Sequence, residues 1–379
     1  MTDAPIPLLD LSAVHHDHAA EIEAAVLSVL RSGKYVLGAE VEAFEREMQQ
    51  FLGSGPVLGI SSGTDAILLA LMALDLAPGD EVITTPFTFF ATAGTIARAG
   101  AKPVFVDIDP KTHNIDPAAV AAAVTPRTKC ILPVHLFGRA ADLDPILELS
   151  KKKSIPVVED CAQAIGTFHN GVSVGTRSIF GTWSLFPSKN LGAAGDAGFL
   201  TINDANIFAR NIFDRAKSLR AHGEIERYHH KFVGGNFRID ALQCAIVRVK
   251  LKYLQKENEN RRRNADLYRS FFEAKNLLGV ASLPAAEGAT RHSYHQFTIE
   301  VDSRDALAES LSAQKIGCGV YYPVPLHLQE CFAPLGYRRG QLPCAERAAS
   351  RVLSLPIHGR LTPAEIERVT AAIAKFYKK

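Results

Sequence analysis

Clustered charge, paired cysteines and long apolar runs are all missing from this 379-residue chain. Its 42 lysines and arginines nearly balance 40 aspartates and glutamates, leaving a formal net charge of +2. Nucleic-acid and membrane-surface partners demand a clustered basic excess, so neither is expected. The two basic runs, Lys151–Lys153 and Arg261–Arg263, are short and read as solvated helix faces. Six cysteines (Cys130, Cys161, Cys244, Cys318, Cys331 and Cys344) are scattered without a CxxC pair. They read as reduced thiols, and no metal site is expected. The mostly apolar stretch Ala66–Leu76 is far shorter than the roughly 20 residues that span a bilayer. Met1–Ser12 has no basic segment leading into an apolar one, so no signal peptide and a cytoplasmic location are expected. Nothing repeats and nothing is of low complexity.

What remains is a chain of 47% hydrophobic residues, enough for one large domain and a smaller one. Short β-branched runs at Glu81–Thr85, Pro103–Ile108, Cys130–Leu136, Ile155–Glu159 and Phe199–Ile202 alternate with helical patterns such as Phe90–Arg98, Pro117–Ala123 and Pro145–Lys152. Strands that are apolar throughout belong to a parallel sheet covered on both faces, so an α/β fold is expected. Near Arg248 the texture changes. A long charged helical segment, Lys250–Glu273, leads to strand-like pieces at Gln296–Val301 and Gly319–Tyr322, flanked by helical patterns at Arg304–Gln314 and Thr362–Lys375. The expected division is a large domain over 1–248 and a connecting helix with a smaller α/β domain over 249–379, the N-terminal segment packing on the small one.

Four segments carry chemistry. In Gly181–Gly192 a strand-like run ends in Phe-Pro-Ser, and Lys189 follows at once among apolar residues and glycines. Desolvation there lowers an amine's pKa and suits it to Schiff-base work, whereas most lysines sit in water. In Ile155–Gln163 a buried-strand pattern ends at Asp160, where open α/β sheets place ligand contacts. That acid is equally a helix N-cap or the partner of a pyridine nitrogen; Gln163 would then lie near the ring hydroxyl. Gly59–Ala66 places Gly63, Thr64 and Asp65 at a helix start, a phosphate cup or a plain cap; Ser184 would add a hydroxyl to that phosphate. Phe89, after a strand, is a ring-stacking aromatic or a core residue.

These segments resemble the DegT/StrS-type sugar aminotransferases, of the aspartate-aminotransferase (fold type I) superfamily. The likeness spans nearly the whole chain: Gly33–Gly38, SSGTDA, TPFTFFAT, VEDCAQAIG, SLFPSKNLGAAGDAGFL, Gly234–Gln243 and Tyr321–Gln329. It implies a mostly parallel, seven-stranded-type sheet domain between helices, plus the smaller C-terminal domain, and pyridoxal 5'-phosphate as cofactor. It gives Lys189 the Schiff base, Asp160 the pyridine nitrogen, Gln163 the ring oxygen and Phe89 the ring face. Gly63, Thr64, Asp65 and Ser184 would hold the phosphate, with Asn236 reaching it from the neighbouring subunit of a homodimer.

The implied reaction moves the amino group of L-glutamate onto a keto-sugar nucleotide. Tyr35, Arg238, Tyr321, Tyr322 and His327 are the candidate sugar contacts, and Arg220, His222 and Tyr228 would join Arg238 at a carboxylate or diphosphate. The YYPVPLHLQ form leans towards 3-keto sugars. Three readings stay open beside it: a 4-keto-sugar aminotransferase, a pyridoxal-phosphate enzyme with another outcome (sugar dehydration, or amino-acid transamination without a sugar) and a non-catalytic regulator of the same fold. Dehydration goes with histidine in place of the lysine, so Lys189 favours transamination.

Overall fold

In the computed structural model the chain is described over residues 4–203 and 211–378. Seven short apolar runs form strands: β1 Val57–Ile60, β2 Glu81–Thr84, β3 Lys102–Phe105, β4 Thr128–Leu132, β5 Val158–Asp160, β6 Phe180–Ser184 and β7 Gly198–Ile202. Their order across the sheet is β3-β2-β4-β5-β6-β7-β1. Parallel ladders join β3, β2 and β4, and the parallel bridges Ile131–Val157 and Val134–Asp160 carry the order on to β5. β6 is parallel to β5, while β7 runs antiparallel to both β6 and β1. Six strands therefore point one way and β7 opposes them.

Consecutive residues of a strand face opposite sides, and the core divides accordingly. Val82, Cys130, Leu132 and Val158 join Ile67, Leu69, Ile96 and Leu219 in one cluster. Their neighbours Ile83, Ile131 and Val157 join Val120 and Ile146 in another. Helices Gly63–Ala73, Phe90–Arg98 and Ile212–Arg220 thus supply one layer, and Pro117–Ala123 and Leu143–Lys153 the other. Both faces being buried explains why these strands read as unbroken apolar runs. The shared direction of β2, β5 and β6 sends their C-terminal loops to one edge of the sheet, where the candidate segments meet.

The C-terminal part is a small antiparallel sheet of Ala281–Ser282, Phe297–Val301 and Val352–Leu355. Tyr268, Phe272, Leu307 and Ile373 pack with Phe297 and Leu353 in its core, bringing in helices Leu254–Ala274, Arg304–Ala313 and Pro363–Phe376. The last is opened by a capping box of Thr362 and Glu365. Ile6 joins the same core and bridges Ile316 in parallel.

Two expectations are corrected. Gly319–Tyr322 is not a strand: Gly319 alone pairs, with Ser354, and the chain then turns so that Tyr321 and Tyr322 line a cavity. The segment Lys250–Glu273 is not one helix, because Ala241–Leu251 ends before Leu254–Ala274 begins. Strands β3 and β4 also stop short, at Phe105 and Leu132, since the apolar residues beyond them fill loops over the sheet edge. No helix among the described residues is long and apolar enough to cross a membrane.

Candidate active site

A cavity of about 540 Å³ opens at the C-terminal ends of β2, β5 and β6, lined by Thr64, Phe89, Asp160, Gln163, Ser184 and Lys189 among others. Asp160 ends β5 with 4% of its surface exposed. Its Oδ2 accepts from Thr92 Oγ1 at 2.8 Å and its Oδ1 from the Ala162 amide at 3.1 Å. Thr88 Oγ1 lies 3.0 Å from Thr92 Oγ1, extending the chain of hydroxyls. Burial pushes the Asp160 carboxyl up, against the pull of those hydrogen bonds and of the Lys189 charge. Such a carboxylate gains from any cation brought into the cavity.

Lys189 follows β6 on a tight loop. Its amide donates to Phe186 O at 2.8 Å, and Ala193 N donates to Leu185 O at 2.7 Å to close the loop. Gly192 permits this closure, because a Cβ there would lie 2.3 Å from Pro187 O. Asn190 ties the loop to the C-terminal part: its Nδ2 donates to Asn258 Oδ1 at 2.8 Å and to Ser293 O at 3.0 Å. With that amide donating, Asn190 Oδ1 accepts from His295 Nδ1 at 3.1 Å. Burial brings the Lys189 amine down to about 8, with Asp160 opposing the shift. Burial first, then the charges of Lys189 and Arg261, holds His295 neutral.

The helix starting at Gly63 is capped by Ser62, whose Oγ accepts from Asp65 N at 3.0 Å, and Ala66 N returns to Ser62 O. The Gly63 and Thr64 amides are left as the open donors of that turn. A Cβ on Gly63 would stand 2.6 Å from Ser184 Cβ, so the helix start abuts Ser184 directly. Phe89 is 58% exposed at the cavity, its ring 6.2 Å from that of Tyr322. Gln163 accepts from Phe137 N at 2.7 Å and donates to Tyr322 OH at 3.1 Å, which leaves one amide hydrogen for a further acceptor.

Of the residues expected at the site, Gly63, Thr64, Phe89, Asp160, Gln163, Ser184, Lys189, Tyr321 and Tyr322 line this cavity and Asp65, Asn236, Tyr35, Arg238 and His327 do not. Asp65 turns its carboxylate to Ser61 Oγ at 2.7 Å. Asn236 is exposed. Tyr35 is exposed and donates to Leu30 O. Arg238 follows Phe237 as a bridge partner of Ile60. His327 is buried against Tyr337 and shares a hydrogen bond with Glu346 at 3.2 Å, so within one chain it faces away from the cavity. Arg220 is buried in an ion pair with Glu45 at 2.6 Å, which occupies the guanidinium meant for an anion. His222 and Tyr228 are exposed on a hairpin.

Several participants were not anticipated: Thr92 behind Asp160, Asn190 beside Lys189, and His295 and Arg261 in the cavity wall. Arg261 corrects the reading of its basic run, since it is 7% exposed while Arg263 faces solvent. Nothing local singles out Thr92, since Thr95 puts a second hydroxyl on the same buried face of Phe90–Arg98.

A sequence model of the DegT/DnrJ/EryC1/StrS aminotransferase family matches residues 16–374. The chain is 45% identical to a pleiotropic regulatory protein of Geobacillus stearothermophilus, over 98% of this chain and 99% of that one. It is 42% identical to a UDP-N-acetyl-3-dehydro-alpha-D-glucosamine 3-aminotransferase of Acidithiobacillus ferrooxidans, over 98% and 97%. In three dimensions it resembles DesV of S. venezuelae, solved in complex with a ketimine intermediate. There the TM-score is 0.94 and the identity 37%, with 99% of each chain covered. The cavity fits the family's cofactor, pyridoxal 5'-phosphate. A buried carboxylate with no ion-pair partner among the described residues matches a protonated ring nitrogen, open helix amides against Ser184 match a phosphate, and an exposed phenyl face matches a ring. The chain belongs to the DegT/DnrJ/EryC1/StrS aminotransferase family and is a pyridoxal-phosphate-dependent transaminase.

Proposed function

We propose that this transaminase moves the amino group of L-glutamate onto a keto-sugar nucleotide, with a 3-keto sugar as acceptor, in a homodimer whose active sites draw on both chains. The observation that carries the reading is the placement of Lys189 and Asp160 in one cavity wall, next to the open helix start at Gly63. When bound, the cofactor supplies an electron sink for the carbon that loses its proton. Asp160 holds positive charge on the ring nitrogen, and the Thr92 and Ala162 donors fix the direction of its carboxylate. Lys189 Nζ, lowered to about 8, takes the proton from the donor's α-carbon and delivers one on the cofactor side. An amine with that pKa serves as base and acid near neutrality. Gln163 would offer its remaining amide hydrogen to the ring oxygen, and Phe89 would supply an apolar face for the ring. Tyr321 and Tyr322 would present hydroxyl-bearing rings to the acceptor, and Asn236, exposed on its own chain, would serve the partner's phosphate site.

The lean to carbon 3 is supported by the YYPVPLHLQ segment and by the relative named for a 3-dehydro sugar. The relative named as a regulator supports the non-catalytic alternative, but a regulator has no need of the complete set around Lys189. The test is to add L-glutamate to the cofactor-loaded protein and follow its visible absorbance. The absorbance should be bleached with wild type and should not be bleached with Lys189→Ala, which lacks the amine that moves the proton. Mass spectrometry of keto-sugar nucleotides offered to the aminated form then reads the acceptor; amination confined to 4-keto sugars would refute the 3-keto assignment.

A further inference from the structure

Beyond the residues assigned to the cofactor, the cavity is also lined by Leu8, Leu9, Leu355 and Ile357 and by Arg261, which stands on the helix Leu254–Ala274. Arg261 is 7% exposed, and its Nη1 donates to Tyr294 O at 3.1 Å and to His295 O at 3.5 Å. Glu257, one turn earlier, acts on the guanidinium only at a distance, and no carboxylate among the described residues forms an ion pair with it. Burial lowers it to about 10, in keeping with a cation that lacks an anion. Buried unpaired charge is costly, and proteins keep it where a ligand supplies the partner.

Arg261 and Lys189 line the same cavity, and His295 connects them: its carbonyl accepts from Arg261 at 3.5 Å and its ring bonds Asn190, the residue after Lys189, at 3.1 Å. The phosphate cup lies elsewhere, at the helix start of Gly63 and at Ser184.

Resting on the transaminase reading, we propose that Arg261 is the docking cation for a carboxylate of the amino donor, which presents its amine to Lys189 past His295. The four aliphatic side chains suit the methylenes of a dicarboxylic amino acid such as glutamate, and the planar guanidinium suits its carboxylate. A diphosphate of the acceptor is the other oxyanion source, and the experiment separates the two.

The probe is glutarate, a dicarboxylate that cannot react, titrated into the cofactor-loaded protein and read by the cofactor's spectrum. Single-turnover reaction with L-glutamate and titration with a nucleoside diphosphate run alongside. In Arg261→Gln, which keeps a donor but loses the charge, the glutarate Kd and the half-saturating glutamate concentration should rise roughly 10- to 100-fold. The limiting rate, the cofactor affinity and the nucleoside diphosphate Kd should hold, and Arg261→Lys should fall between. Unchanged glutarate binding overturns the proposal, as does weakening confined to the nucleoside diphosphate. If Arg261→Gln does not fold, Arg261→Lys decides by the same readings; failure of both to fold assigns Arg261 to structure and overturns it too. Wild type that binds glutarate through Arg261 yet never reacts with glutamate would sink the glutamate reading and leave the site standing.

Discussion

Lys189 is a nucleophile only when neutral, and burial sets when that is. With its amine at about 8 instead of the usual 10.5, the protonated form dominates below pH 8 and the neutral form above it. Capture of pyridoxal phosphate by the cofactor-free protein should therefore speed up about tenfold per pH unit below 8 and level off above. Stopped-flow mixing across that range checks it, and Lys189→Ala should show no such phase. Thr92 acts one step back. Its hydroxyl holds the Asp160 carboxyl down, so Thr92→Val should let that pKa rise, and the acid limb of the activity profile should move to higher pH. Cofactor affinity should weaken by roughly tenfold, measured by titrating the cofactor-free protein, and Thr92→Ser should restore both. Lys189 and Asp160 were legible because each stands where an apolar strand run meets polar residues, a contrast visible in one dimension. Thr92 and Arg261 were not: a hydroxyl on a helix and an arginine in a basic triplet look the same whether they face water or a cavity.

At the scale of elements, strands and helices were legible where burial imposes one texture throughout. The helices Phe90–Arg98 and Pro117–Ala123 fall where their patterns place them, the second capped by Asp116 with proline in its first turn. Gly319–Tyr322 misled because its two tyrosines serve a cavity wall instead of a ladder, while Val320 packs on the C-terminal core. The cofactor end of the site depends on two elements meeting closely, the start of the helix Gly63–Ala73 and the end of β6. Gly63→Ala would put a methyl 2.6 Å from Ser184 Cβ, and both neighbours are backbone-anchored, so the elements must part. Overpacking of this kind costs about 1–3 kcal/mol. We expect Gly63→Ala to lower cofactor affinity by about tenfold or more, with the far-ultraviolet circular dichroism unchanged. Unaltered affinity would show that the helix start does not hold the phosphate.

The whole molecule joins a sheet with two covered faces to a small antiparallel sheet, and Asn190 ties its loop to the C-terminal part by bonding Asn258 and Ser293. That union was legible only in part. The change of texture near Arg248 is a local property, and Ile6, from the N-terminal segment expected to pack on the C-terminal part, lies in the C-terminal core. Assembly is the last level. Asn236 is exposed and lines no part of its own chain's cavity, which is the placement a residue needs to complete a partner's site. If it does so, Lys189→Ala and Asn236→Ala chains are defective for different reasons and complement each other. In a mixed dimer, the site built on the Asn236→Ala chain has its own Lys189 and receives Asn236 from the Lys189→Ala chain. One site in two is then intact, and the other lacks its lysine. Random pairing of equal amounts makes half the dimers mixed, so unfolding and refolding the two variants together should recover roughly a quarter of the wild-type activity. Each variant refolded alone should stay well below that. Activity of the mixture no greater than the mean of the two alone would mean that each chain completes its own site.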